Sequence, residues 1–292
     1  MKILLFGKNG QLGWELNRAL LPLGDLISLD SAQANFENPQ TVLDVIRATK
    51  PNYIINPAAY TAVDQAEIDQ ERAFQINSVM PGIIAEEARH LGAVFIHYST
   101  DFVFDGTKSS PYTEKDQVGP VNVYGRSKLK GEEAISQVGD IFAIFRTSWV
   151  YSLRGNGFVS KLLKWSREQK DMKVVKDQVG SPTWARMLAE ITAILIARSL
   201  VAPKDYFSSK RGIYHLAGSG QVSRYDFARH VLKLDPRSQE QVLLNLQPAL
   251  TTDFPSMARR PYFAPLDCAL FEDVFDIHVP KWQDALHLAM QE

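Results

Sequence analysis

A glycine-rich segment near the start of the chain constrains the fold more than any other feature. It follows an apolar run, residues 2–6, that is typical of a buried strand, and it opens into an amphipathic stretch, residues 11–21, with helical spacing. Gly7, Gly10 and Gly13 form the pattern G-x-x-G-x-x-G, which differs from the G-x-G-x-x-G of many dehydrogenases. Glycines at such a turn let backbone N–H groups approach an anion at the helix N-terminus, where the helix dipole favours negative charge. The sequence therefore predicts a strand–turn–helix unit that binds the pyrophosphate of a dinucleotide.

Strand-like and helix-like segments alternate through the first half of the chain. Short apolar runs occur at residues 2–6, 26–30, 53–56, 94–99 and 141–151. Helical periodicity lies between them, at residues 11–21, 41–49, 65–91 and 123–137, and Pro81 predicts a break or kink in the third of these helices. Because strands separated by helices of this length form βαβ units, we predict an α/β fold with a doubly wound, parallel, Rossmann-type sheet.

The second half of the chain has a less regular pattern. Helices are predicted at residues 158–169, 184–197 and 224–234 and from Trp282 onward, short strands at 174–178 and 213–217, and irregular structure at 247–265. We expect residues 1–150 to form a dinucleotide-binding domain whose sheet and helices are completed by about residues 182–217. Residues of about 151–181 and 218–292 would then form a smaller, interleaved C-terminal substrate lobe.

Composition excludes several classes of protein. Lys and Arg number 32 against 33 for Asp and Glu, and this balance lacks the positive charge of a nucleic-acid or anionic-membrane binder. The most apolar later stretch, residues 191–197, is far shorter than the roughly 20 residues that cross a bilayer. The single cysteine, Cys268, forms no intrachain disulfide and suits a reducing compartment. We therefore expect no nucleic-acid or membrane partner and a cytoplasmic location.

Three side chains have positions suited to cofactor chemistry. Asp30 closes the second predicted strand, where a carboxylate accepts hydrogen bonds from an adenosine ribose, although a turn or cap residue gives the same pattern. Tyr124 and Lys128 lie four residues apart, on one face of a predicted helix. An ammonium beside a phenol lowers the phenol pKa from about 10 and makes tyrosine a general acid. An isolated Tyr-Lys pair is more often a surface feature, but its position downstream of a glycine turn favours the catalytic interpretation.

Hydroxyl and aromatic side chains follow two other predicted strands. Ser99 and Thr100 lie at the edge where open α/β sheets bind ligands, so either hydroxyl can hydrogen-bond a substrate carbonyl or simply cap the strand. Trp149 lies near the end of the fifth predicted strand, where an indole either covers an apolar sugar face or belongs to the core.

In chain order, these motifs resemble those of the extended short-chain dehydrogenase/reductases. The set comprises the glycine turn, Ala58-Ala-Tyr-Thr-Ala-Val-Asp64, Ser99-Thr-Asp-Phe-Val-Phe104, Tyr124-x-x-x-Lys128 and Arg146-Thr-Ser-Trp-Val-Tyr151. Within that family the chain is most similar to the dTDP-4-dehydrorhamnose reductase branch, from Met1 to about Pro261. The resemblance implies a step of nucleotide-sugar and polysaccharide biosynthesis. In it, NADH or NADPH reduces the C4 ketone of a dTDP-linked 4-keto-6-deoxy sugar, dTDP-4-dehydro-L-rhamnose.

The resemblance also implies roles for individual residues. Thr100, Tyr124 and Lys128 would form the catalytic triad, and Thr100, Asp101 and Trp149 would contact the sugar. The implied cofactor residues form the pyrophosphate turn, the ribose and adenine contacts and the nicotinamide border: Gly7, Gly10, Gln11, Leu12, Gly13, Asp30, Asn35, Phe36, Ala59, Tyr60, Thr61, Val63, Tyr124 and Lys128. Asn35 stands where the family often has Asp, and the segment after Asp30 is shortened. These departures bear on the adenine contact and on discrimination at the ribose 2′-position.

A few positions of the sequence distinguish between the functions found in related proteins. Sugar-nucleotide dehydratases of this superfamily follow the Thr-Asp pair with Glu, whereas this chain has Phe102 there, which favours simple ketone reduction. Two alternatives stay open: a reductase of another nucleotide-linked 4-keto-sugar, and a non-catalytic nucleotide-binding regulatory subunit like that of methionine adenosyltransferase. The intact Thr100, Tyr124 and Lys128 favour an enzyme over the regulatory subunit.

The remaining polar features receive structural interpretations. Glu132 and Glu133 are expected to lie on a solvated helix face, and the six histidines show no zinc-ligand spacing. Family members often form homodimers around Mg²⁺ held by carboxylates, so a homodimer is an expectation here, but the sequence assigns no Mg²⁺ ligand.

Overall fold

A parallel sheet forms the centre of the fold. The computed structural model describes residues 1–291. Within that range the strands are β1 (Lys2–Phe6), β2 (Asp25–Leu29), β3 (Tyr53–Asn56), β4 (Val94–Thr100), β5 (Phe142–Thr147), β6 (Val150–Tyr151), β7 (Asp171–Val175), β8 (Val179–Gly180), β9 (Thr183–Trp184), β10 (Gly212–His215), β11 (Val222–Ser223) and β12 (Asn245–Ala249). Six of these described strands form the sheet in the order β10-β5-β4-β3-β1-β2, and every neighbouring pair is parallel. The predicted doubly wound, parallel sheet is confirmed.

Helices cover both faces of this sheet. The helices of the described range are α1 (Gln11–Leu20), α2 (Pro39–Thr49), α3 (Val63–Ala66), α4 (Gln70–Phe74), α5 (Met80–Leu91), α6 (Val123–Val138), α7 (Phe158–Glu168), α8 (Ala185–Ser199), α9 (Pro203–Ser208), α10 (Arg224–Lys233), α11 (Ala269–Phe275) and α12 (Trp282–Ala289). Because side chains alternate across a strand, Ile3 and Leu5 of β1 pack into the core under α1 and α8, whereas Leu4 and Phe6 pack into the core under α2, α5 and α6.

The strand order leaves a crevice at the carboxyl end of β1. β2 pairs with one edge of β1 and β3 pairs with the other. The loops that follow β1 and β3 therefore diverge, and open α/β sheets bind ligands at such a switch point. The glycine turn follows β1 directly, and Ala58 follows β3, so both lie at this crevice.

The strand predicted at residues 141–151 is interrupted in the structure. β5 ends at Thr147, and pairing resumes only in β6, which lies beside β9 instead of the central sheet. Trp149 lies between them with φ 44°, in the left-handed region. The prediction of one continuous strand is wrong because the chain turns sharply at this residue, and apolar periodicity gives no sign of such a turn.

The helix predicted at residues 65–91 consists of several pieces. α3 and α4 precede a π-helical turn at Gln75–Val79, and α5 follows with Pro81 in its first turn. The predicted break at Pro81 is not seen: the helical run continues through it, and the departure from α-helical geometry lies just before it, in the π-helical turn. Proline has no N–H for the carbonyl four residues earlier, and a helix tolerates it best in a first turn.

Two predictions in the second half of the chain are wrong. The strand predicted at 174–178 is β7, three residues earlier, and the irregular stretch at 247–265 begins with the last residues of β12. β7 and β12 pair in parallel although Pro248 lies within β12. Proline is accommodated on the edge of a two-stranded sheet, and a pairing between such distant segments leaves no local signal.

The later segments of the chain also contribute to the central sheet. β10 lies at its edge beside β5, and α8 packs against α1. The division into a dinucleotide-binding domain and a substrate lobe, with its boundaries, stays a prediction. Among residues 1–291, no helix is both long enough and apolar enough to cross a membrane.

Candidate active site

A cleft of about 520 Å³ lies at the carboxyl ends of β1, β3, β4 and β5. The predicted site residues on its wall are Gly7, Gly10, Gln11, Leu12, Gly13, Asp30, Ala59, Thr61, Thr100, Asp101, Tyr124, Lys128 and Trp149. The fold therefore brings the glycine turn, the Tyr-Lys pair and the end of β5 together in one cavity.

Four predicted cofactor residues lie off this wall. The ring of Phe36 is buried in the core under α2 and α5, so it does not face the cleft. Asn35 is exposed and accepts a backbone N–H in its own turn. Tyr60 is half-buried between the cleft loop and α4, and Val63 begins α3. The cofactor contacts of these four residues stay predictions.

The glycine turn forms a tight cradle between β1 and α1. Gly7 has φ 70°, and its carbonyl accepts the N–H of Gly10 at 3.0 Å. A Cβ at Gly13 would lie 1.9 Å from that same carbonyl oxygen, so a side chain there would force α1 away from β1. Gly10 precedes α1 and has no side chain that could cap it. The first N–H groups of the helix are therefore available to an anion, and the cradle fits a dinucleotide pyrophosphate.

Asp30 has the turn role that its sequence position allowed, and it also lies at the cleft. Its Oδ1 accepts the backbone N–H groups of Ala32 and Gln33 at 3.1 and 3.2 Å, so it organises the turn after β2. Its Oδ2 lies 3.3 Å from Asn9 Nδ2 and 3.5 Å from Lys8 Nζ, beside the glycine turn. One carboxylate oxygen is therefore engaged in the turn, and the other lies among polar groups at the cleft.

Tyr124 lies in the first turn of α6 and faces Thr100. Asn122 caps that turn by accepting the N–H of Gly125 at 2.8 Å. The ring of Phe102 meets the ring of Tyr124 edge-on, with centroids 5.6 Å apart. Burial raises the pKa of Tyr124 to about 12. Tyr124 is therefore a neutral phenol with a proton to donate.

Lys128 is buried, and its Nζ contacts groups of β4. Its Nζ lies 2.7 Å from the carbonyl oxygen of Tyr98 and 3.0 Å from His97 Nε2. Burial lowers the pKa of Lys128 to about 8, because a low-dielectric site disfavours the charged form. The prediction that Lys128 lowers the pKa of Tyr124 is wrong in this structure, since burial dominates both groups.

Asp101 is a buried carboxylate at the end of β4. It accepts hydrogen bonds from Ser148 Oγ at 2.7 Å and from Thr100 Oγ1 at 3.0 Å. Burial raises the pKa of Asp101 to about 6, against the opposing effect of these hydroxyls and of Arg224. The hydroxyl hydrogen of Thr100 is thus directed at Asp101, whereas the phenol of Tyr124 lies on the cleft wall with its own proton.

Trp149 lies on the cleft wall with its indole in contact with two neighbours. A Cβ at Gly180 would lie 2.5 Å from the indole Cε2, so glycine is required for the ring to lie against this backbone. The guanidinium of Arg224 stacks on the ring, 3.6 Å from its centroid. The left-handed backbone of Trp149 costs about 1–3 kcal/mol in a non-glycine residue, and such strain concentrates at functional sites.

Glu132 is buried, which contradicts the expectation of a solvated helix face. It forms a bidentate ion pair with Arg146 of β5, with Nε–Oε1 at 2.9 Å and Nη2–Oε2 at 2.6 Å, and it also accepts from Ser99 Oγ. Glu133, the next residue, pairs with Lys130 at the surface. The helix face that carries Glu132 packs over β4 and β5, so this ion pair fixes α6 beside the cleft.

A second cavity of about 570 Å³ lies close to the cleft, on the side of Arg224. It combines cationic, aromatic and amide side chains, among them Phe158, Trp165, Gln178, Arg224, Phe254 and Arg260. Arg224 lies at the junction, because it lines this cavity and also stacks on Trp149. Sequence patterns did not single out Arg224, since its only local signal is a position just after the helix cap Ser223.

Metal ligands are not evident in the described part of the chain. Among residues 1–291, no three or more His, Cys, Asp or Glu side chains are grouped so that they could hold a metal ion. Mg²⁺ therefore stays unassigned.

The chain is similar over its whole length to known dTDP-4-dehydrorhamnose reductases. The relative from Escherichia coli (strain K12) is 41% identical over 297 residues, covering 100% of this chain and 98% of that protein. A crystal structure of a dTDP-4-dehydrorhamnose reductase from Clostridium acetobutylicum has a TM-score of 0.90 and 33% identity, covering 100% of this chain and 99% of that one. The enzyme from Bacillus anthracis in complex with NADP has a TM-score of 0.90 and 30% identity, covering 99% of this chain and 98% of that one.

The match extends to a family defined by sequence. Residues 1–292 match the family described as the RmlD substrate binding domain. The resemblance seen in the motifs is confirmed, and the cleft carries the glycine turn, the Tyr-Lys pair and the Thr-Asp pair on which it depended. The chain belongs to this family, that of the dTDP-4-dehydrorhamnose reductases.

Proposed function

We propose that this protein reduces the C4 ketone of dTDP-4-dehydro-L-rhamnose to give dTDP-L-rhamnose, with NADH or NADPH as the reductant. The observation that carries the proposal is the neutral phenol of Tyr124, which faces Thr100 in the cleft formed by the glycine turn. A proton donor beside a dinucleotide cradle is the arrangement that ketone reduction requires.

The glycine turn, Asp30 and Lys128 would hold the cofactor. The free N–H groups at the start of α1 would bind the pyrophosphate, Asp30 the adenosine ribose, and Lys128 the ribose next to the nicotinamide. The bound cofactor supplies the hydride for the ketone carbon.

Tyr124 would donate its proton to the oxygen of the ketone as negative charge develops there. General acid catalysis of this kind contributes typically about 10²–10⁴-fold to the rate. Thr100 would hydrogen-bond the same oxygen, and for this its hydroxyl hydrogen must leave Asp101 Oδ1, 3.0 Å away. Phe102 occupies the position at which dehydratases of this superfamily have Glu. This position therefore supplies no carboxylate for the elimination of water, which favours simple reduction of the ketone.

The second cavity supports a nucleotide-linked substrate. Arg224 and Arg260 line it together with aromatic rings, and such groups bind a diphosphate and stack on a base. Arg224 lies between this cavity and Trp149, so a dTDP group in the second cavity would place its sugar at the cleft.

Oxidation of NADH and NADPH at 340 nm, followed with dTDP-4-dehydro-L-rhamnose and with other nucleotide-linked 4-keto-sugars, tests the proposal. We expect the highest kcat/KM for dTDP-4-dehydro-L-rhamnose. A higher value for another keto-sugar would favour the first alternative function. Tight cofactor binding with no turnover of any keto-sugar would favour a regulatory subunit.

Asp30→Ala is expected to weaken NADH binding more than NADPH binding. The carboxylate accepts a hydrogen bond from the 2′-hydroxyl of NADH but repels the 2′-phosphate of NADPH. The matched variant Lys8→Ala should do the opposite, because the Lys8 ammonium lies 3.5 Å from this carboxylate and would attract the phosphate. Fluorescence titration gives the Kd values. Equal losses for both cofactors in Asp30→Ala would show that Asp30 only organises its turn.

Trp149→Ala is expected to raise KM for the keto-sugar while the melting temperature and NADH affinity stay close to wild type. The indole is half-buried on the cleft wall, where it can cover the apolar face of a 6-deoxy sugar. Trp282→Ala is the matched control, since Trp282 is buried in the core and its loss should cost about 3–5 kcal/mol of stability. An unchanged KM with a melting temperature lowered by several degrees would make Trp149 structural.

The homodimer, the cytoplasmic location and the two-lobe division stay predictions. They affect where and in what assembly the enzyme works, whereas the proposed chemistry depends only on residues of one chain.

A further inference from the structure

A chain of buried polar groups behind the cleft ends at Lys128. Asn56 ends β3, His97 lies within β4, and Lys128 lies on α6, and all three are at most 1% exposed. Asn56 Nδ2 lies 3.2 Å from His97 Nδ1, and His97 Nε2 lies 3.0 Å from Lys128 Nζ. The sequence singled out Lys128 but neither of the other two.

The direction of these hydrogen bonds follows from a backbone group at the far end. The N–H of Ala58 donates to Asn56 Oδ1 at 3.1 Å. With its oxygen engaged there, the amide presents its NH₂ group to His97, so Nδ1 of the imidazole must accept. A neutral imidazole with an accepting Nδ1 carries its proton on Nε2, and this proton points at Lys128 Nζ.

The contact between His97 Nε2 and Lys128 Nζ distinguishes the ammonium form of Lys128 from the neutral amine. An ammonium has only donors, whereas a neutral amine has one lone pair that can accept from His97. The neutral amine still donates to the carbonyl oxygen of Tyr98, 2.7 Å away. The buried partners of Lys128 are therefore all satisfied when its Nζ is uncharged.

We propose that His97, oriented by Asn56, is a positioning residue that favours the neutral amine of Lys128, which in the free protein predominates at alkaline pH until the dinucleotide binds. Cofactor binding is then coupled to the transfer of one proton from solvent to Lys128 Nζ. Ribose hydroxyl oxygens in the cleft accept hydrogen bonds from the resulting ammonium, which His97 does not. The inference rests on the proposed function only in that it needs a dinucleotide in the cleft.

The charged and titratable groups around Lys128 agree with this assignment. Glu132, one turn further along α6, acts to raise the pKa of Lys128, but its carboxylate is engaged by Arg146 at 2.6 Å and the effect of burial is larger. Tyr124, one turn earlier, is a neutral phenol because burial raises its pKa to about 12. Burial holds the pKa of His97 well below its usual range and lowers that of Lys128 to about 8.

Proton uptake during cofactor binding tests the proposal. NADH is titrated into weakly buffered wild-type protein at pH 9 with a pH indicator, and binding is followed by fluorescence. Most free protein then has a neutral Lys128, so we expect most of one proton to be taken up per NADH bound. Because the complex holds an extra proton, raising the pH weakens binding, and the Kd should rise towards tenfold per pH unit above pH 9.

Asn56→Asp reverses the direction of the hydrogen bonds that run from residue 56 through His97 to Lys128, with little change in the shape of the side chain. A carboxylate at position 56 accepts from both Ala58 and His97, which moves the imidazole proton to Nδ1 and leaves Nε2 to accept from an ammonium. We expect proton uptake at pH 9 to fall to a small fraction of the wild-type value and the Kd to become nearly independent of pH.

His97→Gln is the second variant, because its amide can turn an oxygen towards an ammonium, and it should also reduce the uptake. Lys128→Met is the control that measures the protons taken up by groups other than Lys128. NADH binding without proton uptake by the wild type would overturn the inference and leave the proposed function standing. Proton uptake equal to that of the wild type in Asn56→Asp or His97→Gln, whichever folds, would do the same. Failure to bind either NADH or NADPH would overturn both.

Discussion

Tyr124→Phe is expected to lower kcat by about 10²–10⁴-fold while the Kd for NADH and NADPH changes little. The phenol faces the cleft with its proton in place, because burial raises its pKa to about 12. The hydroxyl hydrogen of Thr100 is directed at Asp101, so it does not replace that proton without rearrangement. Phenylalanine keeps the edge-on contact with Phe102, and the first turn of α6 should therefore stay intact.

The matched control is Tyr53→Phe. The hydroxyl of Tyr53 is also buried, but it bonds Ser199 at 2.6 Å, away from the cleft. Steady-state kinetics should show a kcat near wild type for this control, with any loss confined to stability. A kcat for Tyr124→Phe within a few fold of wild type would contradict the role of Tyr124 as proton donor.

Arg146→Met is expected to destabilise the protein by about 3–5 kcal/mol, because it leaves the carboxylate of Glu132 buried without its partner. The two side chains are 5% and 2% exposed, so water cannot replace the lost hydrogen bonds. Lys130→Met is the matched control on the same helix: its partner Glu133 is partly solvated, and such surface pairs contribute only about 0–1 kcal/mol. Urea denaturation of both variants gives the free energies of unfolding.

A double variant separates the ion pair from the shape of the side chains. Replacing Arg146 with Met and Glu132 with Leu together removes both charges, and much of the lost stability should return. Destabilisation by Arg146→Met no larger than that by Lys130→Met would show that the pair does not hold α6 in place. If the double variant is instead less stable than Arg146→Met, burial of Glu132 without a partner is not the cause of the loss.

The first half of the sheet was predictable because its signals are local. A run of apolar residues, a glycine turn and an amphipathic helix follow one another without interruption, and β1 and β3 begin and end where the pattern places them. Gly13 was identifiable for the same reason, since the close approach of α1 to Gly7 is a property of the turn itself. Tyr124 and Lys128 share a helix face through their spacing alone.

Contacts between distant segments explain what the sequence did not show. The left-handed turn at Trp149 depends on Gly180 and Arg224, which approach the indole only in the folded chain. The pairing of β7 with β12 likewise joins segments that have no common local pattern. Glu132 looked like a surface residue because its partner lies on a different element, β5.

Burial also reversed one electrostatic prediction. Spacing alone places an ammonium beside the phenol of Tyr124, but Lys128 Nζ instead contacts His97 and the carbonyl of Tyr98. The charge state of a lysine depends on its surroundings, and these are set by β3 and β4 as much as by α6. Geometry was therefore required before a proton could be assigned.

Transfer of deuterium from a labelled cofactor tests the central claim most directly. NADH carrying deuterium at the transferable position of nicotinamide C4 is incubated with the protein and dTDP-4-dehydro-L-rhamnose, and the product is examined by NMR. The account predicts dTDP-L-rhamnose with one deuterium bound to carbon at C4 and none at other carbons. A product labelled elsewhere, or no labelled product despite cofactor binding, would contradict it.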